Sequence, residues 1–505
     1  MKFYKIIFLF FVISFGQSQE ISGIVIDSLN QEPIPFATII SNFNKSTITN
    51  EEGRFRIFKE TSFNNEDTLF ISSLGYSSIS FSVTKNVNFE IILAPKGIEL
   101  KSIVLTNREK LTANEIISRV KKNAINIYDF KYVEKKIFWR ETNTAEVIKL
   151  DFKIKKTSIK EFDQTFMDSI MTTIPKATNF YIETLALFYG NRDLKKQKVN
   201  IIKSAELLNK DNQISIELIE KKIQPIVDLR IKPDSYFKFK SGIFPIDLIV
   251  NGVDLRSIDS TDNDQLEINK KKKLDEIKDY NIYNRNFIKN KSNFYFDTEE
   301  NELTYPVFRK SRLYDFKLVE FTYLGFDPVY VIDYEPASKK EQYRGRLYVH
   351  ADEFALIRID YENTEPLRKF NLFGVSFKFD TRHGKQIFKK NHNGKYDLYF
   401  YENTNQNTFG LDRLLKIIEK NKNVRGRRKQ NQLNMQIDFK GKSRKRTEFI
   451  ILNESELNID EFNIYKEIDS ILPYKLNEYN PDFWKGYNII EPSQILKEFK
   501  IDEND

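Results

Sequence analysis

Cysteine is absent from all 505 residues. No disulfide framework, thiol nucleophile, Cys-ligated zinc or iron–sulfur cluster, or acylated lipoprotein cysteine can therefore be built from this chain. Histidine is almost as scarce, with three residues, and tryptophan occurs twice. A zinc site takes three or four ligands from Cys, His, Asp and Glu, so this supply leaves few ways to assemble one. Charge of a single sign is also missing: 80 basic residues face 72 acidic ones, a net of +8, which describes a mixed surface with a slight bias toward anionic partners. What the chain has in quantity is Phe (43) and Tyr (25), which suit half-buried sheet surfaces. More strand than helix is expected.

The one apolar run of note is at the start. Met1 to Lys5 is short and basic, Ile6 to Phe15 is apolar, and Gly16-Gln17-Ser18 offers a small-x-small cleavage site, so residues 1–18 read as an export signal. The run is too short for a retained membrane helix, and no later stretch is long and uncharged enough for one. The mature chain is expected to carry no transmembrane segment and to act at the periplasm or the outer membrane.

From Ile21 the sequence "ISGIVIDSLNQEPIPFATIISNFNKSTITNEEGRFRIF" alternates in short runs separated by turn residues. Asn50 to Gly53 forms a polar turn, with Phe55 and Ile57 on one strand face. Pro33 and Pro35 suit only an edge or a strand start. "DTLFISSLGYSSISFSV" adds two strands with a bend at Gly75, and "NFEIILAP" closes the unit near Pro95. Gly23, Val25, Asp27, Glu32 to Ala37, Thr49-Asn50-x-x-Gly53-x-Phe55 and Leu69-x-x-Ser72-x-x-Gly75-Tyr76 together resemble the carboxypeptidase-regulatory-like domain. That resemblance implies a transthyretin-like seven-stranded sandwich over residues 19–95, of the kind found at the N-terminus of exported and outer-membrane proteins of Gram-negative bacteria. It implies no peptidase activity, because in carboxypeptidases the module is accessory to a separate zinc domain. "GIELKSIVLTNR" resembles the strand that comes after the module there, and residues 96–110 are read as a linker strand.

The remainder divides into 111–255, an α+β part; 256–291, a polar and partly flexible insertion; and 292–505, an antiparallel series containing a basic segment at 416–446. Thr112-Ala113-Asn114-Glu115 is a capping box, and Ile117, Val120, Ala124 and Ile127 follow at helical spacing. "YVEKKIFWRETN" and "KLDFKIKKTSIK" alternate as strands, whereas periodicity does not arbitrate for "TNFYIETLALFYGNRDLKKQKVNIIKSAEL". Lys270 to Lys273 reads as a solvated helix face. From Ser292 long alternating segments with Asp, Asn, Gly and Pro turns predict one broad antiparallel sheet with a wet face. "VYVIDYEP" and "GRLYVHADEFALIRIDYE" resemble hairpins of the periplasmic Lol-type half-barrel fold, and of the soluble segment after the transthyretin-like module in larger outer-membrane proteins. "NPDFWKGYNIIEPSQIL" reads as a segment tucked back onto that sheet.

Motifs for chemistry are sparse. His350-Ala351-Asp352-Glu353 spells H-x-x-E, the opening zinc pair of metallocarboxypeptidases, but the pair flanks a hairpin turn, and His383 ("TRHGK") and His392 ("NHNGK") also read as turn residues. There is no G-x-S-x-G; "KSGIF" at Lys240 to Phe244 lacks its surroundings, and neither G-x-G-x-x-G nor a P-loop occurs. Glu299-Glu300 falls in a polar loop. No catalytic, cofactor-binding or metal-binding residue is assigned, and no cofactor is expected. Arg425, Arg427, Arg428, Arg444, Lys445 and Arg446 form a basic stretch, read as a solvated loop between sheet elements; behind an export signal its available anions are lipid headgroups rather than nucleic acid. The chain is thus expected to be mainly β, a transthyretin-like β-sandwich followed by an α+β domain with a large antiparallel sheet; whether that sheet closes around a cavity as a half-barrel is left open. The function expected is a non-enzymatic envelope protein that binds or scaffolds, with an outer-membrane protein or an apolar or anionic lipid as partner. The alternatives are an envelope hydrolase acting on peptide or glycan and a purely structural adaptor, the latter marked by a sheet whose concave side is filled by its own helix and loops.

Overall fold

The computed structural model describes residues 19–98, 110–251 and 263–499, apart from 60, 62, 65, 84–87, 129–130, 209, 233–234, 242–243, 298, 392, 422–427 and 469–470. The proposed export signal (1–18), most of the linker strand, and His392, Arg425 and Arg427 lie outside these residues. The chain forms two compact units. One is built on the stretch ending at Gly97 together with Tyr323–Phe326 and Asn480–Lys497; the other comprises Ile98–Thr322, Asp327–Tyr479 and the residues from Glu498 onward.

The first unit contains β1 (Gln19–Asp27), β2 (Thr38–Ser41), β3 (Ser46–Ile48), β4 (Arg54–Lys59), β5 (Thr68–Ser72), β6 (Ile79–Ser82) and β7 (Asn88–Leu93). They form two sheets, in orders β4-β1-β7 and β3-β2-β5-β6, which is the seven-stranded sandwich the resemblance implies. The alternation that announced these strands fills the space between the sheets: Ile21, Val25, Ile39, Phe55, Ile57, Leu69 and Ile71 are all essentially inaccessible. Gly53 takes a φ of +68°, and a Cβ there would stand 2.6 Å from the Val25 carbonyl, so the turn demands glycine. Tyr76, read from sequence as part of the family pattern, donates its hydroxyl to Asp27 Oδ2 at 2.9 Å.

One expectation fails here. The segment containing Trp484 packs on the first unit, not on the large sheet. Asn488 uses both ends of its side-chain amide on the backbone of Phe58, at the open edge of β4, and Arg56 pairs with Glu491 at 3.0 Å. Trp484, Ile489 and Ile490 are buried. The physical reason is the edge itself: β4 has a sheet partner on one side only, and a loop supplying amide groups satisfies the other.

The second unit follows β8 (Gly97–Ile98) with α1 (Ala113–Ile127), β9 (Val133–Thr157), α2 (Gln164–Met171), β10 (Ala177–Gly190), β11 (Gln197–Leu208), α3 (Lys210–Arg230), β12 (Ser235–Ser241), β13 (Phe244–Asn251) and α4 (Asn263–Asn293). Then come β14 (Phe296–Asp297), β15 (Glu302–Leu303), β16 (Tyr314–Leu324), β17 (Asp327–Pro336), β18 (Tyr343–His350), β19 (Leu356–Asn363), β20 (Arg368–Leu372), β21 (Val375–Lys390), β22 (Tyr396–Asn421), β23 (Lys429–Glu456) and β24 (Tyr474–Leu476). One open sheet runs β24-β11-β10-β9-β23-β22-β21-β19-β18-β17-β16, with β12 also paired to β22 and β20 to β21. The capping box forms as read: Glu115 N–H donates to Thr112 Oγ1 at 3.3 Å and Thr112 N–H to the Glu115 carboxylate at 2.7 Å. The two alternating segments around residue 140 are a single strand, β9, whose 25 residues at about 3.3 Å each span about 80 Å.

The polar segment 256–291 is helical in its second part, as the reading of Lys270 to Lys273 as a helix face expects. From Asn263 it belongs to α4, and the C-terminal half of that helix lies on the sheet: Phe287 stacks on Trp139 with centroids 4.3 Å apart, Tyr280 hydroxyl meets Ser204 Oγ at 2.5 Å, and Arg285 donates to the Val199 carbonyl at 3.1 Å. Few apolar residues are needed because the helix is held by rings and hydrogen bonds, and that is why its composition misleads.

Candidate functional site

The H-x-x-E stretch resolves as a turn. Phe354 adopts φ +54°, and its N–H reaches the His350 carbonyl at 2.9 Å. The imidazole of His350 is buried, and its Nδ1 accepts from the backbone N–H groups of Asp352 and Glu353, each at 3.2 Å. Glu353 turns elsewhere, accepting from Tyr396 hydroxyl at 2.8 Å and from Lys390. His383 differs from expectation: it sits inside β21, opposite Glu362 and Thr404, not in a turn. Gly384 beside it is there for space, since a Cβ would lie 2.1 Å from the Glu402 carbonyl. Next to His392, which lies outside the described residues, Gly394 takes φ +74° and its N–H donates to Asn391 O at 3.0 Å. Among the described residues no three His, Asp or Glu side chains gather as a metal site would require.

Of the basic stretch, Arg428 stands exposed in the connection between β22 and β23, as read, but the residues on either side of that connection are strand. Arg444, Lys445 and Arg446 lie inside β23, where Arg446 meets Glu402 at 3.3 Å and Glu448 at 3.2 Å, and Lys445 pairs with Glu141. Lys445 and Arg446 are thus neutralised within the sheet.

The site that the geometry singles out was not anticipated. Where α4 ends, the sheet face it covers opens into a pocket of about 440 Å³ between Lys291 and Phe294 of the helix end, Thr304 to Val307, and side chains of β16 to β22. Tyrosine dominates its walls, with Tyr305, Tyr314, Tyr334, Tyr343, Tyr361 and Tyr401, and none of its lining residues is acidic. The rings are fixed by their hydroxyls: Tyr361 donates to Asn403 Oδ1 at 3.0 Å, Tyr334 to the Asp360 carbonyl at 3.1 Å, and Tyr305 to Gln386. Burial pushes the phenols of Tyr305, Tyr334 and Tyr361 well above their usual range, so they stay neutral donors.

Two cations reach into this apolar box. Lys291 Nζ lies 3.1 Å from Tyr401 hydroxyl, 4.4 Å from that ring's centroid and 5.1 Å from that of Phe294. Arg382 donates from Nε to Asn405 Oδ1 at 2.9 Å and lies over Phe379. Neither makes an ion pair with a carboxylate among the described residues. Desolvation first, and then the positive charges of Arg382 and Lys445, lower the Lys291 pKa to about 8. Burying a cation without a counter-charge is costly unless something else supplies the charge. The pocket therefore offers aromatic faces and two positive groups: the requirements of an anion with an apolar or ring portion. Sequence reading missed Lys291 because it stands in a segment taken as solvated, and Arg382 because "TRHGK" was taken as a turn. The density of Tyr and Phe from Phe294 to Tyr401 was the only available signal.

The fold and pocket define a class: a small sandwich module joined to an α+β unit whose open antiparallel sheet carries a cationic, tyrosine-lined cavity. Residues 21–105 match the CarboxypepD_reg-like domain family, and the sandwich of the first unit is that domain's β-sandwich type. No curated protein matches the chain. Among solved structures, MucB is similar at 8% identity over 65% of this chain and 92% of its own, with a TM-score of 0.14. The Pseudomonas aeruginosa MucA/MucB complex gives 7% identity, 65% and 93% coverage, and 0.14. A DUF1329 family protein from Desulfovibrio piger gives 10%, 70% and 98%, and 0.16. Scores of this size define no common arrangement of elements.

Proposed function

We propose that the protein is an exported, non-catalytic binding protein of the cell envelope, whose second unit holds an anionic ligand with an apolar or ring portion in the tyrosine-lined pocket. One observation carries this reading: Lys291 and Arg382 are held among aromatic rings without a carboxylate partner among the described residues, in a pocket whose lining contains no acid. The export signal and the envelope-type N-terminal module support the location. The pocket supplies charge and hydrogen-bond donors rather than a nucleophile beside a base or converging carboxylates, which favours holding a ligand over transforming one. The scaffold alternative keeps some support, since α4 covers much of the sheet face as a structural adaptor would require.

Thermal denaturation with two probes of equal tail, octyl phosphate and octyl glucoside, below their micellar concentrations, tests the reading. Octyl phosphate is expected to raise the Tm of the wild type, octyl glucoside much less, and Lys291→Met is expected to abolish the difference. Equal shifts from both probes, or none from either, would sink it.

A further inference from the structure

The floor of the tyrosine-lined pocket is a single cross-strand row. Tyr334 of β17 stands opposite Gly345 of β18, Gly345 opposite Tyr361 of β19, Tyr361 opposite Gly384 of β21, and Gly384 opposite Asn403 of β22. Tyrosine and glycine thus alternate across the sheet, and residues in register share a face. A glycine inside a strand weakens it and marks a place where another group comes close. Besides a backbone carbonyl, each of these glycines makes room for the neighbouring ring. A Cβ on Gly345 would stand 2.9 Å from the Tyr334 hydroxyl, and one on Gly384 would stand 2.7 Å from the Tyr361 hydroxyl.

The hydroxyls show how far the rings lean. Tyr334 reaches over β18 to the Asp360 carbonyl of β19 at 3.1 Å, and Tyr361 reaches over β21 to Asn403 of β22 at 3.0 Å. A tyrosine standing upright on its strand does not span the next one, so both rings lie along the sheet. Other rings stand up from them. Tyr343 meets Tyr361 at an interplanar angle of 79°, Tyr314 meets Tyr334 at 71°, and Phe294, at the end of α4, is set at 77° to Tyr401. The pocket is therefore a slot with a flat aromatic floor and upright aromatic walls.

A second, independent observation concerns its polar groups. Asn403, Asn405 and Gln386 each spend the side-chain carbonyl on a protein donor, from Tyr361, Arg382 and Tyr305 in turn. Their NH2 groups make no hydrogen bond among the described residues and are left as donors. Lys291 and Arg382 likewise bring only N–H groups, and no carboxylate lines the pocket.

We infer that the ligand of this pocket is a flat ring system that carries an anionic group and presents hydrogen-bond acceptors at its edge. The inference rests on the reading of the pocket as an anion site and names the class of anion. A planar ring stacks on the face of Tyr361 and meets the upright rings edge to face, the arrangements that aromatic quadrupoles favour. Its acceptors take the amide donors. An acyl chain uses neither the flat floor nor the amides, and it gives up more internal rotation on entering.

Isothermal titration of the full chain with 4-methylumbelliferyl phosphate and with octyl phosphate tests the inference. Both probes carry a phosphate monoester, but only the first has a flat ring with a carbonyl at its edge. Burial of apolar surface by itself does not favour it, because the octyl chain is the more apolar of the two. The wild type is expected to bind the coumarin phosphate about tenfold more tightly. Tyr361→Leu, which replaces the flat ring by a branched chain, is expected to remove that preference while octyl phosphate stays within about twofold. Tyr361→Phe keeps the ring and is expected to keep the preference. Octyl phosphate binding the wild type as tightly as the coumarin phosphate would overturn the inference and leave the anion site standing, a comparison that needs no variant to fold. A preference that survives in Tyr361→Leu would overturn it as well. If neither phosphate binds the wild type, the anion site itself falls, and the ring inference with it.

Discussion

A single strand, β22, passes through two environments. Its first nine residues, Tyr396 to Thr404, are all buried, whereas from Asn405 to Ile417 almost every position is partly or largely exposed. β9 repeats the contrast, with Val133 to Glu141 nearly all buried and the remainder open. The inner halves carry short aromatic runs, Leu398-Tyr399-Phe400-Tyr401 and Ile137-Phe138-Trp139, where the outer halves mostly scatter apolar residues among polar ones. The difference in burial lies in what covers them. The inner half is roofed by α4 and braced by buried charge: Arg140 pairs with Glu183 at 2.5 Å, and Lys135 contacts Asp397, which also accepts from Tyr295 hydroxyl. The outer half has only a small core, in which Ile159, Val227, Ile231 and Phe237 meet Ile223 and Ile417 under α2 and α3. Alternation makes a strand; a lid decides whether its apolar face is core or surface.

Substitutions on the two halves should therefore differ in kind. Trp139→Ala removes the ring on which Phe287 stacks and should cost about 3–5 kcal/mol in urea denaturation, freeing α4 and with it the pocket. A loss under about 1 kcal/mol would show that the helix does not depend on that ring. Lys291→Met acts in the opposite direction. Removing an uncompensated cation should raise stability by about 1–2 kcal/mol at neutral pH. The sign with pH comes from the lysine's folded pKa of about 8, below its unfolded value of about 10.4. Below pH 8 it is charged in both states and its penalty is constant; above 8 the unfolded chain holds the extra proton, so this group makes stability rise with pH up to about 10. The variant should lose that rise, and in the wild type anion binding should weaken as pH passes through 8. Next in size, Thr112→Ala should cost about 1 kcal/mol by opening the capping box of α1. Smallest, Phe409→Ala on the outer half should change stability by about 0.5 kcal/mol or less, since the ring is already 40% exposed. A core-sized cost there would erase the contrast between the halves.

Much of the architecture was legible in the sequence. The strands and turns of the sandwich were read from short-range alternation and from glycines and asparagines with specific backbone demands, as Gly53 and Asn50 show. The α1 cap and the β18–β19 hairpin were equally local. What misled was every feature whose meaning depends on a distant partner. His383 and Gly384 look like a turn until the Glu402 carbonyl beside them explains the glycine. Lys445 and Arg446 look like part of a basic patch until Glu141, Glu402 and Glu448 are brought alongside.

By itself, then, the sequence determined the chemistry that is out of reach without cysteine, the all-β first unit and the alternating strands of the second, because these depend on residue type and on neighbours one to four positions away. Only the tertiary structure decided that the Trp484 segment returns to cap β4, that the C-terminal half of α4 lies against β9, β11 and β22, and that Lys291 and Arg382 share a tyrosine-lined pocket. Those outcomes bring together residues separated by as many as 442 positions, as Asn50 and Pro492 are. Burial and pairing at that range are properties of the packed surfaces, and no local pattern encodes them.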